Sequence, residues 1–318
     1  MEKMSINSAQ IKSKLIQKAL DLGFLDLKSS AYQILEDESK YYDKWLSCGY
    51  NADMQWMERN IDKRRDISLV LPEIMSIFTL SYNYFTGNIH KKNLGNDEGK
   101  TSRYAWGSDY HDIVLDKLNQ LIEFAKSMLP ESNWKAYVDT GPILEKQWAL
   151  KSGLGWQGKN SLILSKNHGS YFFIGVLLTD HAFPADIQVK DYCGSCTKCI
   201  KACPTQAIVA DKVIDSNKCI SYWTIEAKAD KSIPVDIAEN AENWIYGCDI
   251  CQEVCPWNKI LPKMTEENLF KSRLDNGILN KAEIDSMSQE EFSNKFRKSP
   301  VKRLKLAGLK RNSRDILK

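Results

Sequence analysis

Eight cysteines crowd into residues 193–255. Four form the run Cys193-x2-Cys196-x2-Cys199-x3-Cys203, closed by Pro204. The other four are Cys219 and then Cys248-x2-Cys251-x3-Cys255, closed by Pro256. Two-residue gaps let three thiolates reach one cuboidal iron–sulfur cluster, while the fourth, three residues further on, reaches a second. The assignment closes: Cys193, Cys196, Cys199 and Cys255 for one [4Fe–4S] cluster, and Cys203, Cys219, Cys248 and Cys251 for the other. Two four-thiolate zinc sites are the rival. Zinc pairs usually sit across longer loops, and the dense run ending in proline favours the cubanes. A disulfide scaffold would be shorter and would carry a signal peptide, which this 318-residue sequence lacks. Residues 204–219 read as a short helix, a turn and a strand. Cys48 reads as a small buried or half-buried apolar residue with no role.

Two clusters in sequence form a path for single electrons. Such a path needs a redox centre or substrate site at its inner end, and residues 1–185 are the place for it. Here Ser76–Tyr84 alternates as a half-buried strand, and residues 109–129 have the periodicity of an amphipathic helix. Residues 134–140 read as a strand ending on Asp139, 143–153 as a helix, and 161–164 and 170–178 as further strands. Residues 86–100 read as a loop. Asp139 sits between a strand end and Thr140-Gly141-Pro142. Such a carboxyl, partly withdrawn from water, would have a raised pKa and could donate a proton; a turn or cap carboxylate is the plain alternative. The stretch Arg103–His111 packs Tyr104, Trp106, Asp109 and Tyr110 together, as a cofactor pocket or an ordinary helix entry would. Gly153-x4-Gly158-Lys159 resembles a phosphate loop, but Asn160 stands where Ser or Thr must hold magnesium, so that reading fails.

No apolar run is long enough to span a membrane, and the N-terminus reads as a surface helix on Ile11, Leu15, Ile16, Ala19 and Leu20, so the expectation is a soluble cytoplasmic chain. The last eighteen residues hold seven Lys or Arg and one Asp. That is a phosphate-facing end or a solvated helix face.

RYAWGSDYH (103–111), VDTGPILEKQWALKSGLGWQGKNSLIL (138–164), GSYFFIG (169–175), CGSCTKCIKACPTQAI (193–208) and EFSNKFRKSPVKRLKLAGLKRN (291–312) together resemble the epoxyqueuosine reductase family. The resemblance spans most of the chain. It implies a mixed α/β cobalamin-binding domain, reductive dehalogenase-like, over 1–185. A ferredoxin-like domain with two [4Fe–4S] clusters would follow over 186–262, and a basic helical segment over 263–318, an α+β class overall. It implies reduction of epoxyqueuosine to queuosine at the tRNA wobble position, with Asp139 as proton donor. Arg103, Tyr104, Trp106, Asp109 and His111 fall on one cofactor-pocket segment, and Gly155, Trp156, Gly158, Lys159 and Asn160 on a second. Trp106, Tyr110 and Trp156 are candidates for stacking on base or corrin, with core packing as the alternative. Lys302, Arg303, Lys305, Lys310 and Arg311 are expected on tRNA phosphates. Longer members carry a C-terminal helical-repeat region that this sequence does not show. The expected partners are that tRNA and an external low-potential electron donor, and the expected state is a monomer. A reductive dehalogenase-like enzyme acting on a small molecule is the nearest alternative, with an electron carrier or a plain RNA-binding module further off.

Overall fold

The structure is a computed structural model that describes residues 7–87, 90, 94–260 and 263–318. Its helices run α1 Ser8–Asp21, α2 Glu36–Ser47, α3 Ile61–Arg65, α4 Tyr110–Met128, α5 Glu145–Lys151, α6 Lys198–Ala202, α7 Val235–Glu239, α8 Ile250–Glu253, α9 Pro256–Ile260, α10 Lys281–Ser286, α11 Gln289–Lys295 and α12 Lys305–Ile316. The strands are β1 Phe24–Ala31, β2 Ser76–Asn83, β3 Glu98–Thr101, β4 Trp134–Tyr137, β5 Trp156–Gln157, β6 Ile163–Leu164, β7 Phe172–Thr179, β8 Ile208–Ala210, β9 Val213–Ile214, β10 Trp244–Tyr246 and β11 Ile278–Asn280.

The main sheet has the order β1-β2-β7-β4, antiparallel throughout. Ile11, Leu15 and Ala19 form a stripe at four-residue spacing on α1, and Val114, Leu118 and Leu121 form another on α4. Both stripes pack with Phe78, Leu80 and Leu177 in one core. Trp148 of α5 packs with Ile77, Val176 and Leu178 in a separate core. β2 is therefore buried at every position, where alternation alone predicts one wet face. Its Thr79 hydroxyl lies 2.5 Å from that of Ser152, while the buried Ser81 hydroxyl has no hydrogen-bond partner among the described residues. The expected loop over 86–100 falls partly outside the described residues and ends in strand β3.

A second sheet decides how the chain is organised. β3 pairs with β10 in parallel and with β11 antiparallel. One strand comes from each of the three expected domains, so the divisions at 185/186 and 262/263 do not separate packing units. The C-terminal α12 completes this core. Asn312 donates to the carbonyls of Thr224 (2.9 Å) and Ile245 (2.8 Å). Residues 204–219 hold the β8–β9 hairpin and a single 3-10 turn at Ser216–Lys218; the short helix lies earlier, as α6. Cys48 follows the last turn of α2 and is exposed, contrary to the burial expected of it.

Candidate functional site

β4 ends at Tyr137, and two residues on Asp139 turns the chain with φ 58°, a left-handed conformation that Asp tolerates better than most residues. That turn brings its carboxylate to the start of α4. The Tyr110 hydroxyl donates to Asp139 Oδ2 at 2.8 Å, and His111 Nε2 stands 3.7 Å from the same oxygen. Asp109 is the N-cap of α4 and accepts from the His111 backbone N–H; its Oδ1 also lies 2.7 Å from His111 Nδ1. On the other side, the Asp139 backbone N–H donates to Glu145 Oε1 at 2.6 Å. Tyr110 is locked by stacking on Phe173, with ring centroids 4.0 Å apart. Tyr104 packs edge-on against Tyr110.

The electrostatics follow from this arrangement. Burial pushes the His111 pKa down, but hydrogen bonds to Asp109 and Asp139 outweigh it and raise the ring to about 9. Burial pushes Asp139 up, and the hydrogen bonds from His111 and Tyr110 bring it below the ordinary carboxylate value. The raised Asp139 pKa expected from sequence is thus reversed in direction by His111. Glu145 is the carboxyl pushed up, to about 8, first by burial and then by the Asp139 charge. Near neutral pH the proton sits on His111 and Glu145, one on each side of an ionised Asp139.

The Asp139 side chain is 57% exposed, yet burial is the largest influence on Asp139, Glu145 and Lys146 alike. Both hold when side chains line an open cleft walled by protein. Lys146 also feels Cys251, which places the cleft beside the second cysteine set. From a distant segment, Glu226 feels the Asp139 charge and pairs with Arg303 at 2.7 Å.

The cysteines fall into two neighbourhoods. Cys193, Cys196, Cys199 and Cys255 line one cavity of about 370 Å³, together with Gly158, Lys159 and Asn160. Burial pushes the Cys251 thiol up, reinforced by Cys219 and Cys203 and then by Cys199 of the first set. Cys248 is raised likewise, by burial and then by Cys251 and Cys219. Thiolates packed this closely need a positively charged inorganic core to neutralise them, so the donor set suits two clusters. The order of neighbours runs from outer set to inner set to Asp139 cleft. That cleft, open and protein-walled beside the inner set, suits a cofactor working at the end of such a path.

Several expected pocket residues serve elsewhere. Trp106 is 1% exposed and spends its indole N–H on the Thr101 carbonyl, so it is core and has no face for a ligand. Gly155 lies against the Leu164 carbonyl, where a Cβ would come within 2.1 Å; it serves the β5–β6 pairing. Trp156 is equally buried and packs on Tyr192 and Trp257 beside the outer cysteines. Gly158, Lys159 and Asn160 also belong to that cavity, and Asn160 donates to the Cys251 carbonyl at 3.2 Å. Arg103 is buried against Asp249 and Glu253. Sequence reasoning missed Glu145, Lys146 and Glu226. The Glu-Lys pair opening a helix straight after the Asp139 loop was the available signal for the first two; nothing local points to Glu226.

Two family models match: "Epoxyqueuosine reductase QueG, DUF1730" over residues 64–140, and "4Fe-4S double cluster binding domain" over 192–258. The epoxyqueuosine reductase of Cellulophaga algicola is 43% identical over 314 residues, covering 98% of this chain and 100% of its own. The chain belongs to the epoxyqueuosine reductase family. Among solved structures, an epoxyqueuosine reductase with an epoxyqueuosine-modified tRNA-Tyr stem loop matches with TM-score 0.89 and 30% identity, over 96% of this chain and 80% of that one. The epoxyqueuosine reductase of Bacillus subtilis, with its aspartate catalytic loop swung out of the active site, matches with TM-score 0.88 and 28% identity, over 96% and 81%. The double-cluster model spans both cysteine neighbourhoods, and the epoxyqueuosine reductase model ends one residue past Asp139.

Proposed function

We propose that the chain reduces epoxyqueuosine to queuosine at the wobble position of tRNA. It would use cobalamin in the Asp139 cleft and two [4Fe–4S] clusters on the cysteine sets assigned above. The observation that carries the reading is a proton-holding group, Asp109–His111–Asp139–Glu145, whose neighbour Lys146 lies within electrostatic range of Cys251 in the inner cysteine set. Turning an epoxide into an alkene and water consumes two electrons and two protons. The cobalt supplies the low-valent, two-electron chemistry that no side chain can. The protein supplies the protons. Asp139, ionised at rest, stands at the open cleft and relays a proton taken from His111 to the opening epoxide oxygen, and Glu145 holds a further proton beside it. Tyr110 fixes the carboxylate, and Asp109 fixes the His111 ring in a doubly protonated state. Arg303 and the exposed Lys302 and Lys305 supply positive charge for the RNA backbone on the C-terminal side of the cleft. No helix among the described residues is long and apolar enough to cross a membrane, which suits a cytoplasmic tRNA enzyme.

The test is anaerobic reconstitution with iron, sulfide and cobalamin, then reaction with epoxyqueuosine-containing tRNA. Mass spectrometry should show loss of one oxygen from the modified base. Asp139→Asn should keep both clusters and cobalamin and lower turnover by roughly 10²–10⁴-fold. Near-normal turnover in that variant removes Asp139 from the donor role.

A further inference from the structure

The outer cysteine cavity has a mouth whose chemistry differs from that of the Asp139 cleft. Tyr192, Trp257 and Ile260 line it beside Lys198. Ile260 is 82% exposed and Tyr192 42%, an apolar patch at the surface over the outer cysteines. Charge around the patch is one-sided. The nearby acids are already paired: Asp186 with Lys12 (2.8 Å), Asp191 with Lys212 (2.8 Å) and Asp211 with Lys159 (3.1 Å). Lys166, Lys190, Lys198, Lys201 and Lys259 are exposed and have no carboxylate partner among the described residues. Lys166 lies over the Tyr192 ring, 5.5 Å from its centroid.

We propose that this face docks a small acidic protein carrying a one-electron redox group, and that electrons enter the chain here. The inference rests on the reading of the cysteine sets as clusters. A small apolar centre inside unpaired charge is the construction of a transient, electrostatically steered encounter, which needs little buried area. At each encounter the reduced carrier loses one electron and the outer cluster gains one; no bond or proton changes hands. Two encounters supply the two electrons that the epoxide reduction consumes. The mouth also lies at the end of the neighbour sequence away from Asp139, so a carrier reaches the outer cluster while the cleft is occupied.

Two features favour a protein over a nucleic acid here. Lys166 already sits over the Tyr192 ring, and Trp156 at 5.2 Å and Trp257 at 6.0 Å meet it at steep angles, which makes the part-exposed ring a poor stacking platform for a base. The charge is all lysine, with no arginine anywhere between Arg103 and Arg273. Lysine ammoniums are hydrated point charges suited to steering, whereas bidentate phosphate capture favours arginine.

The experiment uses the reconstituted holoenzyme and a Lys166→Glu/Lys259→Glu variant, neither position lying between ligand cysteines. Stopped-flow bleaching of the clusters by reduced flavodoxin, an acidic one-electron carrier, is followed against ionic strength. The wild-type rate should fall steeply with salt, and charge reversal should slow it by about tenfold or more at low salt. Reduction by methyl viologen radical, which needs no docking face, should not slow. Carbodiimide should crosslink flavodoxin carboxylates to peptides bearing Lys166, Lys198 or Lys259 in the wild type. An unchanged, salt-insensitive flavodoxin rate at full iron content overturns the docking face alone. So does a variant that loses affinity for an anticodon stem-loop RNA while its flavodoxin rate holds. A chain that takes up no iron overturns the cluster reading and the docking face together.

Discussion

Asp109→Asn isolates the proton-holding group with little structural damage. Asparagine caps a helix about as well as aspartate, so α4 keeps its N-terminal hydrogen bond while the negative charge goes. Burial lowers the His111 pKa, and two carboxylates overcome that to raise it from 6.5 to about 9. The rise is worth at most about 3.4 kcal/mol in favour of the charged ring. Asp109 acts across 2.7 Å and Asp139 across 3.7 Å, so the nearer group holds the larger share. Removing it takes away at least half, and the ring midpoint should fall by more than about one pH unit, roughly 1.4 kcal/mol. The sign fixes the pH window for stability. A histidine raised on folding stabilises fully below 6.5 and stops doing so as pH rises through about 9. The variant should therefore be less stable than the wild type at pH 6 by thermal or urea melts, and this histidine-linked gap should close above pH 9. The direct assay is an NMR titration of the ring signals, with His111 assigned among the four histidines by His111→Gln. A wild-type midpoint near 6.5, or a variant midpoint that moves by less than about half a unit, would refute the reasoning.

Cys251→Ser should cost the inner cluster and leave the outer one, so iron should fall from about eight to about four atoms per chain; unchanged iron would remove Cys251 from the ligand set. Arg311→Ala should destabilise by roughly 3 kcal/mol or more. Its 2%-exposed side chain donates to the Lys228, Trp223 and Ala227 carbonyls and to Asn312 Oδ1 at 2.6 Å, and a melt no lower than the wild type's would contradict that role. Lys302→Ala with Lys305→Ala should weaken binding of cognate and unrelated tRNA alike and reduce the salt slope by about one per lysine, measured by fluorescence anisotropy; an unchanged slope takes these residues off the phosphates.

What could be read from sequence was what the spacing of chemically special residues alone decides. Cysteine gaps specify which thiolates face a common centre, and Arg103–His111 reads as a helix entry or a pocket wall, though its contact between Asp109 and the His111 ring is visible only in the structure. Secondary structure over 109–129 and 170–178 was legible because long apolar periodicity has few other solutions. Side-chain burial was not. Trp106 and Trp156 sit in polar, glycine-bearing stretches that look like a pocket wall, but whether an indole faces a cavity or a core depends on β3, β10 and α9, which come from elsewhere in the chain. Arg311 looked like part of a phosphate-binding run because charge is visible in sequence and its buried carbonyl acceptors are not. The Lys310 ammonium donates to the Asp285 carbonyl at 2.9 Å, a contact equally invisible in sequence. The Asp139 pKa went the wrong way because its sign depends on whether His111 points at it, a matter of how α4 packs on β7.

The buried charges around Arg103 show how the cysteine loop is fixed to the cleft. His90, Asp249 and Glu253 offer one ligand atom each within 4.8 Å of one another, a set that by type would suit a divalent cation. Arg103 already supplies the positive charge there. Its Nη1 lies 3.1 Å from Asp249 Oδ2 and also meets Glu253, and its backbone N–H donates to Asp249 at 2.9 Å. Burial pushes Glu253 up, but His90 and Arg103 prevail and hold it down at about 2. The guanidinium offsets one of the two carboxylate charges, and hydrogen bonds from Arg103 and His90 already engage both carboxylates, so the cluster is read as structural. Asp249 stands between Cys248 and Cys251, so this ion pair ties the loop bearing two inner cysteines to the stretch Arg103–His111. The same stretch carries Asp109, Tyr110 and His111. Cluster ligands and proton carriers are thus positioned by one short segment, held on one side by buried charge and on the other by the pairing of β3 with β10. A shift of either would separate the electron path from the proton supply, which gives a physical reason for a buried arginine where a packed apolar side chain would otherwise cost less.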